Sequence, residues 1–418
     1  MAGALLAAAL WLAARQRVGD LEEALIRDAA ILVGPHLRPV HVDTPSPGSL
    51  GDLLVKHLPA IQAEADARKA DAAGRDAARA VVAGDRAMTE LPPPYAAALD
   101  RLRPDLDAAL AGTHAEAADL PAEAALGPAA GKTPWGALQF AALLAGVRVR
   151  QLVAAGDPAA AVATCLDALA LGRDCGYSGG LVGLMTGAAM VGRLAPPCAA
   201  AIAAAPGPIR ADAFARVRRI RNAFPTFGQV MRSEAVAIQL MTFRPILSAE
   251  VRAALPREAE PYLRDGAPVA SWSRRLMLRD GWRSTRTSFA ALARAAEAKQ
   301  GRREATRRVV LDATSLLNPL AAIVTPDFSR YGDRHDAAML RLDALLLVAA
   351  AADARARTGK WPDTVEDLAR AALTPSESER LSRATLDRAR DGSLAVEVPL
   401  PVGMEGAPDL LTLRISAR

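Results

Sequence analysis

Apolar positions recur every three to four residues along most of this chain, and strict alternation shows only near its end. The spacing predicts helix over Val18–Val33, with Leu21, Leu25, Ala29 and Leu32 on one face and Gly34-Pro35 as the stop. His36 to Gly48 is rich in proline and reads as a loop. Leu50 to Met88 reads as helix broken at Pro59, and its charged positions between Ala63 and Asp85 mark a solvated face. After Pro92-Pro93-Pro94, short helices are expected from Tyr95 and again from Pro104. Gly112 to Pro134 is rich in Ala, Gly and Pro, with Gly127 to Pro134 as a linker or turn.

The middle of the chain carries clearer punctuation. Trp135 to Ala155 is a helix, Gly156-Asp157-Pro158 turns, and Ala159 to Arg173 returns, with Asp157 as N-cap and Pro158 in the first helical position. This hairpin is similar to one unit of a tetratricopeptide-type repeat, but its period of about 34 residues does not recur, so the inference is an antiparallel helix pair. Leu181–Gly192 and Pro197–Ala205 read as two core helices interrupted by Arg193 and Pro196, not as a membrane span. Ile209 to Leu240 gives two helices split by Pro225, and Val309 to Val324 contains a break at Asn318-Pro319.

A long helix follows, capped by Asp333 or Asp336, carrying Met339, Leu340, Leu342, Leu345, Leu346 and Leu347, and stopped by Gly359. Pro362 introduces a short helix. After Pro375 the period changes: Asp391-Gly392 sits ahead of Leu394–Val398 as a two-residue hairpin signal, and Leu411–Ile415 alternates again. The fold class expected is mostly α: an irregular antiparallel bundle of helix hairpins with a small C-terminal α+β module of two or three antiparallel strands. The organisation expected is an apolar segment over 1–17, helical regions over 18–126 and 127–317, and the C-terminal module over 318–418.

Composition sharpens this. Apolar residues make up 51 % and aromatics only 4 % of 418 residues. Much of the apolar share is alanine, which favours helices and thin, close interfaces. Net charge is +5, nearly all positive charge is arginine, and the sequence pI is about 9.4. This mild excess suits an anionic surface without requiring nucleic acid. Three cysteines, Cys165, Cys175 and Cys198, are too few for a disulfide framework and read as small buried residues.

Ala2 to Ala14 is an unbroken apolar run ended by Arg15-Gln-Arg17. It is shorter than the roughly 20 residues that span a bilayer, and no basic region or clear cleavage site marks a signal peptide. The reading is an N-terminal anchor, with a truncated signal peptide as the alternative. Arg15 and Arg17 alone would keep the bulk of the chain in the cytoplasm, and a basic segment ahead of the run would reverse that.

Several motifs carry candidate chemistry. Gly176-Tyr-Ser-Gly-Gly180 fits the spacing of a nucleophile elbow, which would make Ser178 a hydrolase nucleophile with His335 as its base. The elbow needs a strand before the serine, and the preceding text is helical. Gly127 to Thr133 resembles a phosphate-binding loop with one residue too few, and Pro128 removes an N–H the loop needs. His36 and His41 sit in a proline-rich loop with Asp43 as the nearby hard ligand, too few for a structural zinc site. His57 and His114 have no partner in sequence, and His335-Asp336 reads as helix-start polarity. Arg274 to Arg308 holds 11 Arg or Lys against 3 acids. It reads as a solvated helix face with partners such as Asp280 and Glu304, or else as a face that binds anionic headgroups or nucleic-acid phosphates; Trp272, Trp282 and Phe289 read as core.

Gly359-Lys-Trp-Pro362, Val365-Glu-Asp-Leu368, Asn318-Pro319-Leu320 and Arg341-Leu342 together resemble the C-terminal module of a group of envelope proteins from high-GC bacteria. The helix followed by Gly-x-x-Pro is also similar to type II secretion pseudopilins. The chain departs from pilins because this helix lies near the C-terminus and Met1–Asp20 lacks their processing signal. The resemblance implies an N-terminal anchor, an Ala-rich helical body and no chemistry that can be carried over. The expectation is therefore a membrane-attached envelope protein with an interaction or scaffolding role. No catalytic residue, cofactor, metal or small-molecule ligand is identified. Its partners are expected to be other envelope proteins and the membrane itself, through residues 1–17, and nucleic acid is not expected.

Overall fold

Helix boundaries in this chain follow side-chain caps more closely than prolines. The computed structural model describes residues 38–118, 135–234, 287–298, 302–313, 329–400 and 410–415. The N-terminal apolar run, the helix expected over Val18–Val33, the Gly127–Thr133 loop and residues 274–286 and 299–301 of the arginine-rich run lie outside them. Helix α1, Leu50–Ala67, starts at Ser49, whose hydroxyl accepts from the Gly51 N–H at 3.0 Å. It runs straight through Pro59, where a break was expected. Pro59 lies on the exposed face, as does Val55, whose carbonyl loses its partner and faces water. The break falls instead before α2, Ala72–Ala83, which Asp71 caps and Gly84, at φ +92°, ends. Helix α3, Pro93–Ala111, likewise absorbs an exposed Pro104 instead of splitting there.

The antiparallel pair appears as read: α4, Trp135–Ala154, and α5, Pro158–Ser178, with the Asp157 carboxylate accepting from the Ala160 N–H at 3.0 Å. Helix α6, Gly180–Ala204, is one helix where two were expected, and it passes through Pro196 and Pro197. Enclosure by neighbouring helices outweighs the lost ladder bonds there. Its glycines explain how close it sits to α5. A Cβ on Gly187 would lie 2.0 Å from the Gly172 carbonyl oxygen, and one on Gly183 would lie 2.1 Å from that of Cys175. Across the same hairpin Cys165 and Cys198 form a disulfide, with Cα atoms 5.5 Å apart. This corrects the reading of all three cysteines as free; Cys175 alone stays a buried thiol. Counting cysteines could not show that two of them face each other 33 residues apart.

Helix α7, Gly207–Asn222, and a helical stretch over 227–234 flank the expected Pro225 break. Helix α8 covers Arg302–Ala313. The long helix α9, Ser329–Thr358, begins earlier than the capping aspartates suggested, so Asp333 and Asp336 lie inside it. Gly359 ends it at φ +74°, its N–H bonding back to the Arg355 carbonyl. Short helices α10, Val365–Ala372, and α11, Pro375–Arg380, start at Thr364 and Thr374, each hydroxyl accepting from a backbone N–H three residues on.

Two small sheets complete the described fold. Strands β1, Ser46–Ser49, at the end of the expected proline-rich loop, and β2, Ala115–Ala117, for which no strand was expected, pair in parallel. Strands β3, Thr385–Arg388, β4, Leu394–Pro399, and β5, Leu410–Ile415, form the expected antiparallel sheet in the order β3-β4-β5. Five residues, 389–393, separate β3 from β4 where a two-residue turn was expected: Ala389 donates to the Ser393 carbonyl, Gly392 donates back to the Ala389 carbonyl, and Gly392 takes φ +79°. Trp361 reaches this turn, donating Nε1–H to the Gly392 carbonyl at 2.9 Å.

The chain is thus mostly α with a small terminal sheet. One apolar cluster runs from Leu50 in α1 to Ile415 in β5, across the expected region boundaries. Helices α4 and α6 are long and apolar enough to cross a membrane, but 61 % of each apolar window is buried within the bundle. They are its core helices.

Candidate functional site

Helix α5 is apolar except for a few charges, and two of these set the site. Asp167 and Asp174 are seven residues apart, two helical turns, so both lie on one face about 10 Å apart. Segment 38–41 runs antiparallel along that face, its first residue meeting Asp174 and its last Asp167. Arg38 reaches Asp174 with Nε and Nη2 at 2.7 and 2.8 Å, and His41 reaches Asp167 with Nε2 at 2.9 Å. Both ends of the Arg38–Asp174 pair are fully buried. Arg173 adds Nε to Asp174 at 2.7 Å and Nη1 to the Pro39 carbonyl at 3.1 Å. Arg38 also donates to the Thr113 and Ala115 carbonyls, drawing the 112–117 stretch into the same clamp.

Asp167 is the hub. Its Oδ1 accepts from His41 Nε2, His114 Nε2 and Arg216 Nη2, each at 2.9 Å. His41 is enclosed, while His114 is one-third exposed and forms the open edge. Burial raises the Asp167 carboxyl, but the hydrogen bonds from His114 and His41 outweigh it and hold it down at about 2. Burial lowers His41 to about 4, against the pull of Asp167. At neutral pH the hub is therefore a carboxylate beside a neutral His41.

Two imidazoles and a carboxylate within 4.8 Å are, by kind, ligands for a divalent transition ion. The arrangement differs from a ligand set in two ways. Arg216 brings a guanidinium to the oxygen a metal would need, with Asp212 as its other acid at 3.8 Å. Among the described residues, no hydrogen-bond acceptor meets the buried Nδ1 of His41, as one would for a ligating imidazole. The geometry is that of a hydrogen-bond hub holding segment 38–43 to the bundle.

Helix α7 carries the clamp across the molecule. In Ala215-Arg-Val-Arg-Arg-Ile-Arg221, Arg216 and Arg219 share one face and meet Asp167 and Asp43. Arg218 and Arg221, also three apart, meet Glu377 at 2.7 Å and the fully buried Asp343 at 3.0 Å. Arg380 reaches Asp343 as well, at 2.9 Å. One helix thus ties the segment after residue 37 to the C-terminal module through four arginines. Sequence reading passed over this strap because arginine is abundant throughout. The usable signal was an aspartate pair at i and i+7 in an apolar helix, opposite arginines at two i, i+3 spacings.

The other expected positions fall elsewhere. Ser178 is the last residue of α5 and α6 follows directly, so no strand delivers it to an elbow. His335 Nε2 bonds to the Pro225 carbonyl at 3.0 Å, within α9 and not at its start. His57, without a partner in sequence, meets Asp105 at 2.8 Å. Of the arginine-rich run, Arg308 pairs with Glu304, and Phe289 and Leu292 are buried. His36, Trp272 and Trp282 lie outside the described residues. Comparison of the chain with protein-family models, curated proteins and solved structures finds no match.

Proposed function

We propose that this chain is a membrane-attached helical protein of the cell envelope that holds other proteins in place. One observation carries the reading: the buried Cys165–Cys198 disulfide. Disulfides persist in oxidising compartments and are rare where thiol reductants prevail, so the bundle belongs on the outer side of the membrane. Two features of the fold support the scaffolding role. The segment that follows residue 37 is bolted to α5 and α7 by Arg38, His41 and Asp43, so whatever precedes it enters the bundle at a fixed point. The strap in α7 then relates that point to the C-terminal module.

Membrane fractionation of the full-length chain tests the reading. The chain stays with the membrane through high-salt and alkaline washes, and deletion of residues 1–17 releases a folded bundle. Recovery of the full-length chain from the soluble cytoplasm would contradict it.

A further inference from the structure

A second polar concentration lies away from the clamp, in a cleft of about 320 Å³ where α1, α2, α3, α4 and α6 converge. Its lining carries five cationic side chains, Arg68, Lys69, Arg75, Arg79 and Arg193, against the single acid Asp66. Two of the five are answered nearby: Arg68 by Glu64, and Arg79 by an exposed Asp76 at 3.1 Å. Arg193 gives one N–H to the Gln139 carbonyl. Burial, with Arg79 nearby, holds its guanidinium down at about 10.

The hydrogen-bond inventory leans the same way. The Tyr95 hydroxyl belongs to a fully buried side chain and has no partner among the described residues. The Nε groups of Arg68 and Arg75 are also buried and unpartnered. All three can donate, and a buried donor left without an acceptor is destabilising. Gln62 Oε1 is unpartnered too, and turning its amide by half a rotation would present a fourth donor. Cations in excess and donors without acceptors define a site for an acceptor-rich anion. Phe140 and Leu143 supply an apolar wall, and the volume suits a small ligand.

We propose that this cleft binds a phosphomonoester dianion, with Arg75, Lys69 and Arg193 supplying charge and the Tyr95 hydroxyl a directed hydrogen bond. A phosphate offers acceptor oxygens on every side, which a monocarboxylate does not, and arginine forks match it in shape. The same chemistry arises from a free organic phosphate or from a phosphatidate headgroup at the membrane surface.

Calorimetric titration of the full chain with glycerol 3-phosphate, and flotation with phosphatidate vesicles against phosphatidylcholine vesicles, separate the two sources. Saturable binding of one glycerol 3-phosphate per chain assigns a soluble ligand. Binding to phosphatidate vesicles alone assigns a headgroup. Tyr95→Phe weakens either by about tenfold while leaving thermal stability unchanged or raised, because it removes a buried unpartnered hydroxyl. Lys69→Gln with Arg75→Gln, neither of which breaks an observed ion pair, weakens it further. Absence of binding to both probes, or wild-type affinity in Tyr95→Phe and in the Lys69/Arg75 variant alike, overturns the proposal.

Discussion

Reducing the Cys165–Cys198 bond is the sharpest perturbation the fold offers. The cross-link closes a separation of 33 residues. Holding a loop of that size removes about 12 cal/mol/K from the unfolded chain, which is about 4 kcal/mol at 25 °C. The reduced thiols still occupy the same space between α5 and α6, so the difference isolates the cross-link from any packing change. The assay is urea unfolding followed by circular dichroism, on oxidised protein and on protein reduced while unfolded and refolded with reductant. A thiol count fixes the state of each sample: one thiol, Cys175, when oxidised and three when reduced. The oxidised chain is expected to be more stable by about 4 kcal/mol, and a Cys198→Ala variant to show no dependence on reductant. Equal unfolding midpoints for verified oxidised and reduced wild type would refute the reasoning.

Three further outcomes follow from the clamp and the packing. Asp174→Asn leaves Arg38 and Arg173 buried without their carboxylate and is expected to cost about 3–5 kcal/mol in the same unfolding assay, whereas Asp100→Asn, in an exposed pair with Arg103, costs less than about 1 kcal/mol. Gly187→Ala drives a methyl group into the Gly172 carbonyl, which has no room to yield within the hairpin, and is expected to lower stability by about 1–3 kcal/mol. The hub sets an acid limb. His41 is held at about 4, below the roughly 6.5 of an unfolded histidine, so stability is present above 6.5 and is lost as pH falls toward 4. Asp167, held at about 2, adds a second loss as pH falls from about 4 toward 2. His41→Gln is expected to flatten the upper part of that limb in pH-dependent thermal unfolding.

The period of apolar residues was enough to read the helix hairpin around Asp157, the long C-terminal helix with its Gly359 stop, and the terminal sheet. These are places where local signals and burial agree. The misreadings share a cause. The sequence predicts breaks at Pro59, Pro104 and Pro196, yet the first two face solvent and the third lies in a helix held from several sides. A proline ends a helix only when nothing else keeps the helix in place. The polar features were harder. His41, His114, Asp167 and Arg216 come from four segments, and Cys165 meets Cys198 only because Gly183 and Gly187 let α5 and α6 touch. Such contacts depend on how helices cross, which spacing along one helix does not encode. Charge in an apolar helix was the legible trace, since a buried aspartate needs a partner.

The central claim is that a membrane-attached bundle works in an oxidising compartment, and the redox state of its cysteines in intact cells tests it most directly. Cells are quenched in acid, the chain is denatured, and free thiols are tagged with a maleimide polymer before any reductant is added. The expected result is one tag per chain in the membrane fraction, rising to three after reduction. Three tags without reduction, in chain shown to be membrane-bound and folded, would contradict the claim.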